Sequence, residues 1–78
     1  MVPVLAYIQI SLDSAQENRI YESLKAMKGV KDVHVLFGEW DMLVKLETHS
    51  PEDLAAFVMD NIRSLPGVKL TSTMIVAR

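Results

Sequence analysis

The chain has 78 residues, half of them apolar, with a formal net charge of −2 and no cysteine. That is one small domain, closed to disulfides, thiolate metal sites and cysteine nucleophiles, and without a basic tract to neutralise the phosphates of nucleic acid. No apolar run is long enough to span a bilayer, and "MVPVLAYIQI" lacks the basic segment of a signal peptide, so a cytoplasmic protein without membrane contact is expected.

Val4 to Leu12 alternates as a strand: Val4, Ala6, Ile8, Ile10 and Leu12 face one way, Leu5, Tyr7, Gln9 and Ser11 the other. "SAQE", Ser14 to Glu17, has the form of a capping box. Ile20, Leu24 and Met27 then recur at helical spacing, and Gly29 is expected just past the helix cap. Val30 to Phe37 predicts a second strand, with Val33, Val35 and Phe37 on its core face. Gly38-Glu39-Trp40-Asp41 turns the chain into a third strand, Trp40 to Glu47. In "HSPEDL", Ser50 is placed to cap a second helix, with Pro51 at its first position and acids in its first turn. Leu54, Phe57, Val58, Ile62 and Leu65 form its stripe, Pro66-Gly67 ends it, and Val68 to Ala77 is the last strand.

The order β-α-β-β-α-β carries a faint internal echo. "LKAMKGVKDVHVLFG" and "IRSLPGVKLTSTMIV" both run from a helix end through Gly-Val-Lys into a strand. Two such halves predict an α+β, ferredoxin-like sandwich over residues 1–78: a four-stranded antiparallel sheet with both helices on one face. The other face is expected to carry Tyr7, Gln9, His34, Leu36, Leu43, Lys45, Thr71, Thr73 and Ile75. That mixture is too apolar for a solvated face, and a domain this small buries only roughly 60–65% of its surface. A sheet-to-sheet dimer through Tyr7, His34, Leu36, Leu43 and Ile75 is therefore expected.

The turn is the candidate site. A turn carboxylate commonly bonds nearby backbone N–H groups, which is open to both Glu39 and Asp41. It can also pair with a ligand ammonium. Gly38 suits a positive φ and lets a ligand approach the backbone. Trp40 is in phase with Met42 and Val44, as core or pocket wall. Thr71 and Thr73 are either strand residues by propensity or hydroxyls lining a polar site. His34 and His49 lie in separate elements without metal-ligand spacing, so no metal or cofactor is expected.

The strings "VLFGEWDMLVKL", "SPEDLAAFV" and "LPGVKLTSTMIV" together resemble the effector-binding, or RAM, domain of the Lrp/AsnC feast/famine transcription regulators, over nearly the whole chain. The resemblance implies the same fold, dimers through meeting sheet faces, and further assembly into octamers or other rings. It implies free amino acids bound between subunits beside the Gly-x-x-Asp turn, here Phe37, Gly38, Glu39, Trp40 and Asp41, with Thr71 and Thr73 near the same site. Those regulators carry an N-terminal helix-turn-helix, whereas this sequence starts at the first strand. The expectation is a stand-alone, non-enzymatic sensor that makes no direct nucleic-acid contact and is able to co-assemble with full-length relatives. The competing expectation is a small enzyme of the dimeric α+β barrel class, using His34, Tyr7 and Asp41.

Overall fold

Alternation along the first strand becomes burial: Ala6, Ile8 and Ile10 are each fully removed from solvent. The computed structural model describes residues 3–13 and 16–78. Its elements are β1 (Val4–Leu12), α1 (Glu17–Lys25), β2 (Val30–Val35), β3 (Met42–Thr48), α2 (Pro51–Phe57), a π-helical continuation (Val58–Ile62) and β4 (Val68–Ile75). The sheet is antiparallel throughout in the order β2-β3-β1-β4. Both helices lie on one face, so the α+β ferredoxin-like sandwich is the observed fold. Ile20 and Leu24 of the first helix, with Leu54, Val58 and Ile62 of the second, share one core with Ala6, Ile8, Ile10, Val33, Met42, Val44 and Leu46. No helix among the described residues is long and apolar enough to cross a membrane.

The helix starts differ in their chemistry. Ser50 Oγ accepts the Asp53 N–H at 3.0 Å, and Pro51 follows it. Gln16 caps α1 without a side-chain bond and Glu17 opens the helix, while the Ser14 half of the expected capping box lies outside the described residues. Leu54, Val58 and Ile62 are four apart, which overruns the 3.6-residue α turn. The wider π turn, closed by Arg63 N–H on the Val58 carbonyl at 2.8 Å, returns Ile62 to the core.

The internal echo is structural. Gly29 and Gly67 have φ of 96° and 99°. The Val30 N–H donates to the Met27 carbonyl at 3.3 Å, and the Val68 N–H to the Leu65 carbonyl at 3.1 Å. In each half the ladder then skips the lysine of Gly-Val-Lys: Val30 and Asp32 pair across Lys31, Val68 and Leu70 across Lys69. Both strands so entered are sheet edges. A bulge carrying a lysine at each edge discourages pairing with foreign strands.

Several expectations are corrected. α1 ends at Lys25 with Ala26 as its cap, so Gly29 closes the next turn rather than the helix. β2 stops at Val35, which is 44% exposed, and Phe37 is fully exposed, because this edge strand runs beyond the helices' cover. β3 begins at Met42, not Trp40, and β4 ends at Ile75, although the Val76 N–H still reaches the Leu5 carbonyl at 2.8 Å. The largest correction is the phase of β4. Thr71, Thr73 and Ile75 pair with Ile10, Ile8 and Ala6, so they lie on the helix side of the sheet. The bulge at Lys69 sets that phase. Ile75 is 56% exposed only because the edge strand is poorly covered there. The open face of β4 instead bears Leu70, Ser72 and Met74, beside Ser11, Gln9 and Tyr7.

Ile8 sits in the middle of a central strand. Ile8→Ala should cost about 2–5 kcal/mol of stability, read by urea unfolding, while Val35→Ala at the exposed edge should cost under about 0.5 kcal/mol.

Candidate functional site

The turn after β2 is closed from both sides. The Leu36 N–H donates to the Asp41 carbonyl at 2.9 Å, leaving Phe37 to Trp40 as the loop between strands. The Asp41 N–H donates to the Ile10 carbonyl at 2.9 Å. Its side chain then takes over where backbone pairing of β1 with β3 has run out: Asp41 Oδ2 accepts the Leu12 N–H at 2.8 Å. An unpaired N–H there would be costly, and a short carboxylate held at the strand end satisfies it. Of the two roles open to Asp41, the backbone tie is therefore present, and it occupies one carboxylate oxygen.

Around this tie the loop is open. Gly38 has φ of 157°, in a region that suits glycine, and no atom beyond its chain neighbours lies within 4 Å of where a Cβ would stand. Phe37 and Glu39 are exposed. Trp40 is half-buried and is not among the residues packed on the core. Phe37 to Asp41 thus form one continuous patch where β1 ends and β3 begins. Thr71 and Thr73 are not in it. They stand on β4, with β1 between them and β3. Thr71 is in the same row as Ile10, near the turn's end of the sheet, and lines a small cleft of about 250 Å³ with Arg63 and Lys69.

The three candidates of the enzyme reading lie in different surroundings. Tyr7 and His34 lie on the open sheet face, opposite Lys45 and Leu43, while Asp41 is tied to Leu12. The space between helices and sheet is filled by the core. Among the described residues no group of three or more His, Asp or Glu side chains converges as a metal site.

A cleft of about 410 Å³ lies at the opposite end of the sheet, where β1 begins and β3 ends. Lys28, Lys31, Glu47, His49 and Asp53 rim it. Sequence reading missed this group, since its members come from β2, β3, α2 and the loops before β2 and after β3, and no spacing links them.

A family model described as the Lrp/AsnC ligand binding domain matches residues 5–78. The HTH-type transcriptional regulator FL11 of Pyrococcus abyssi is 35% identical over 75 residues, covering 96% of this chain and 49% of the regulator. The chain thus spans about half the length of the regulators it matches. The crystal structure of FFRP-DM1 superposes with a TM-score of 0.90 at 40% identity, covering 94% of this chain and 97% of that one. The complex of the transcriptional regulator NMB0573 with L-Met, from Neisseria meningitidis, gives a TM-score of 0.86 at 25% identity, covering 96% of this chain and 50% of the other.

The Asp41–Leu12 bond makes Asp41 a structural residue whatever else it does. Asp41→Ala should lower stability by about 1.5–3 kcal/mol, whereas Asp41→Asn, which keeps an acceptor for the Leu12 N–H, should lose less than half of that. Urea denaturation of the two variants beside the parent gives the comparison.

Proposed function

The chain belongs to the Lrp/AsnC ligand-binding domain family, and on that premise we propose that it is a cytoplasmic, non-enzymatic sensor of free amino acids that works as an oligomer. The observation that carries the reading is the half-used carboxylate of Asp41. One oxygen holds Leu12 and fixes the group in place, leaving the other to accept a ligand ammonium beside a glycine with open space around it. A preorganised acceptor loses little entropy when it binds. Phe37 and Trp40 offer apolar surface for the ligand's side chain, and Glu39 adds negative charge at the rim. The carboxylate donors would come from a neighbouring copy, since Thr71 and Thr73 stand across β1 from the turn in the same chain. There Thr71 keeps company with Arg63 and Lys69, two cations suited to a carboxylate. The L-Met complex of the Neisseria regulator lends this ligand class support.

The open sheet face is the proposed dimer surface. Tyr7, Leu43, Leu70 and Met74 lie on it, the last two 58% and 43% exposed, with Leu36 at its margin and His34 and Lys45 supplying polar contacts. Octamers or other rings would form from such dimers. The same face would admit a full-length relative in place of a second copy.

Two measurements test these readings. Leu43→Asp places a charge in the centre of the proposed interface and should yield monomers by light scattering at micromolar concentration, while Ile75→Asp, on the other side of the sheet, should stay dimeric. A parent protein that is itself monomeric removes the dimer. For the ligand, a thermal-shift panel of the twenty amino acids should find one or more that stabilise the protein, by ~2.7 kcal/mol at about 100 times the dissociation constant. Asp41→Asn should reduce that shift for the ligands that use the turn while remaining folded. If it responds as the parent does, the turn is not the ammonium site.

A further inference from the structure

The cleft beside Gly29 is the product of one difference between two otherwise equivalent seams. In each half a glycine carbonyl accepts an N–H from the residue leaving a central strand: Gly67 from Asp13 at 2.7 Å, Gly29 from Glu47 at 2.9 Å. Three residues further on stands the cap of the following helix, Gln16 in one half and Ser50 in the other. At the first seam Gln16 fills the space. A Cβ on Gly67 would lie 2.8 Å from Gln16 Cγ and 3.2 Å from Ile20 Cδ1. At the second, the short Ser50 side chain is engaged with the Asp53 N–H. The same point over Gly29 meets only the Glu47 carbonyl at 3.1 Å and Leu46 Cδ1 at 3.5 Å. One seam is packed shut, and the other opens as the cleft of about 410 Å³, within the range of small-ligand sites.

The charges around the opening define what fits. Lys31 and Glu47 face each other at 3.9 Å and offset one another. That leaves the Lys28 ammonium, the Asp53 carboxylate and the His49 imidazole, none of them in an ion pair among the described residues. Pro3 and Phe57 supply apolar wall. Opposite charges without partners, over an apolar surface, complement a zwitterion with an apolar side chain. We infer that this cleft is a second small-molecule site, taking a free α-amino acid with its carboxylate on Lys28, its ammonium on Asp53 and its side chain against Phe57. It shares no residue with the turn at Gly38 and does not rest on the role proposed for that turn.

Calorimetry on the full chain separates the two. L-valine, L-methionine and L-phenylalanine are the probes, each titrated to about 10 mM, with 3-phenylpropionate and 2-phenylethylamine as analogues lacking one charge. Asp41→Asn protein should still bind at least one probe at one site per chain. In that background Lys28→Ala and Asp53→Asn should each weaken binding roughly tenfold or more, and each analogue should bind weaker than phenylalanine by a similar factor. Ser50→Gln, which copies the filled seam, should block the site, with circular dichroism confirming the fold. The inference is overturned if Asp41→Asn protein binds none of the probes, or if Lys28→Ala and Asp53→Asn bind as their parent does. Loss of all binding with Asp41→Asn leaves the turn site standing alone; full retention removes the turn and leaves the cleft.

Discussion

β1 is hydrogen-bonded along both of its edges, and every other element is placed by that fact. A strand whose face is Ala6, Ile8 and Ile10 has to be covered by helices on that side, and its N–H and C=O groups have to be met on both edges. β3 and β4 meet them, which sends β2 and β4 to the rims of the sheet. The pairing of β1 with β3 stops short of the end of β1, at Leu12. The Asp41 side chain repairs it, and in doing so holds the turn that follows β2 against the centre of the sheet. The loop is thereby anchored at Asp41, with one carboxylate oxygen engaged by the Leu12 N–H.

The two halves of the chain are copies of one structural sentence. Each delivers a positive-φ glycine, a bulged lysine and an edge strand, and each hands a glycine carbonyl to the other half. The differences between copies are where specific chemistry has room. A glutamine in one cap fills its seam and a serine in the other does not. The first half runs from β2 into a tight ladder closed by Asp41, whereas the second runs into the exposed end of β4. Near-symmetry gives the fold its economy of contacts, and its local breaks place the openings.

The proposed oligomerisation rests on the same geometry. With all apolar core residues drawn to the helix side, the opposite face keeps Tyr7, Leu43, Leu70 and Met74, and among the described residues no helix lies over them. A small domain without disulfides has few other ways to bury such a surface. Amino-acid sensing between copies, as proposed for the turn, would tie ligand occupancy to assembly, because the donors for the ligand carboxylate stand one strand away from the acceptor for its ammonium.

The elements, their order and the fold were legible from alternation and helical spacing, because a strand with one wet face and a helix with one buried stripe leave those periods in the residues themselves. The caps at Ser50 and Pro51 and the turn at Gly38 were legible as local chemistry, whereas the backbone partner of Asp41, Leu12, is brought to it only by the pairing of the sheet. The phase of β4 was not legible. Lys-Leu-Thr-Ser-Thr-Met-Ile has no clean alternation, and a bulge at Lys69, invisible in composition, decides which of its residues face the helices. Nor could the sequence place Phe37 and Val35 outside the core, since their exposure depends on how far the helices reach over an edge strand. The cleft beside Gly29 was hidden for the same reason. It exists because residues from β2, β3, α2 and their flanking loops meet at a seam that a three-dimensional near-symmetry creates and one short side chain leaves unfilled.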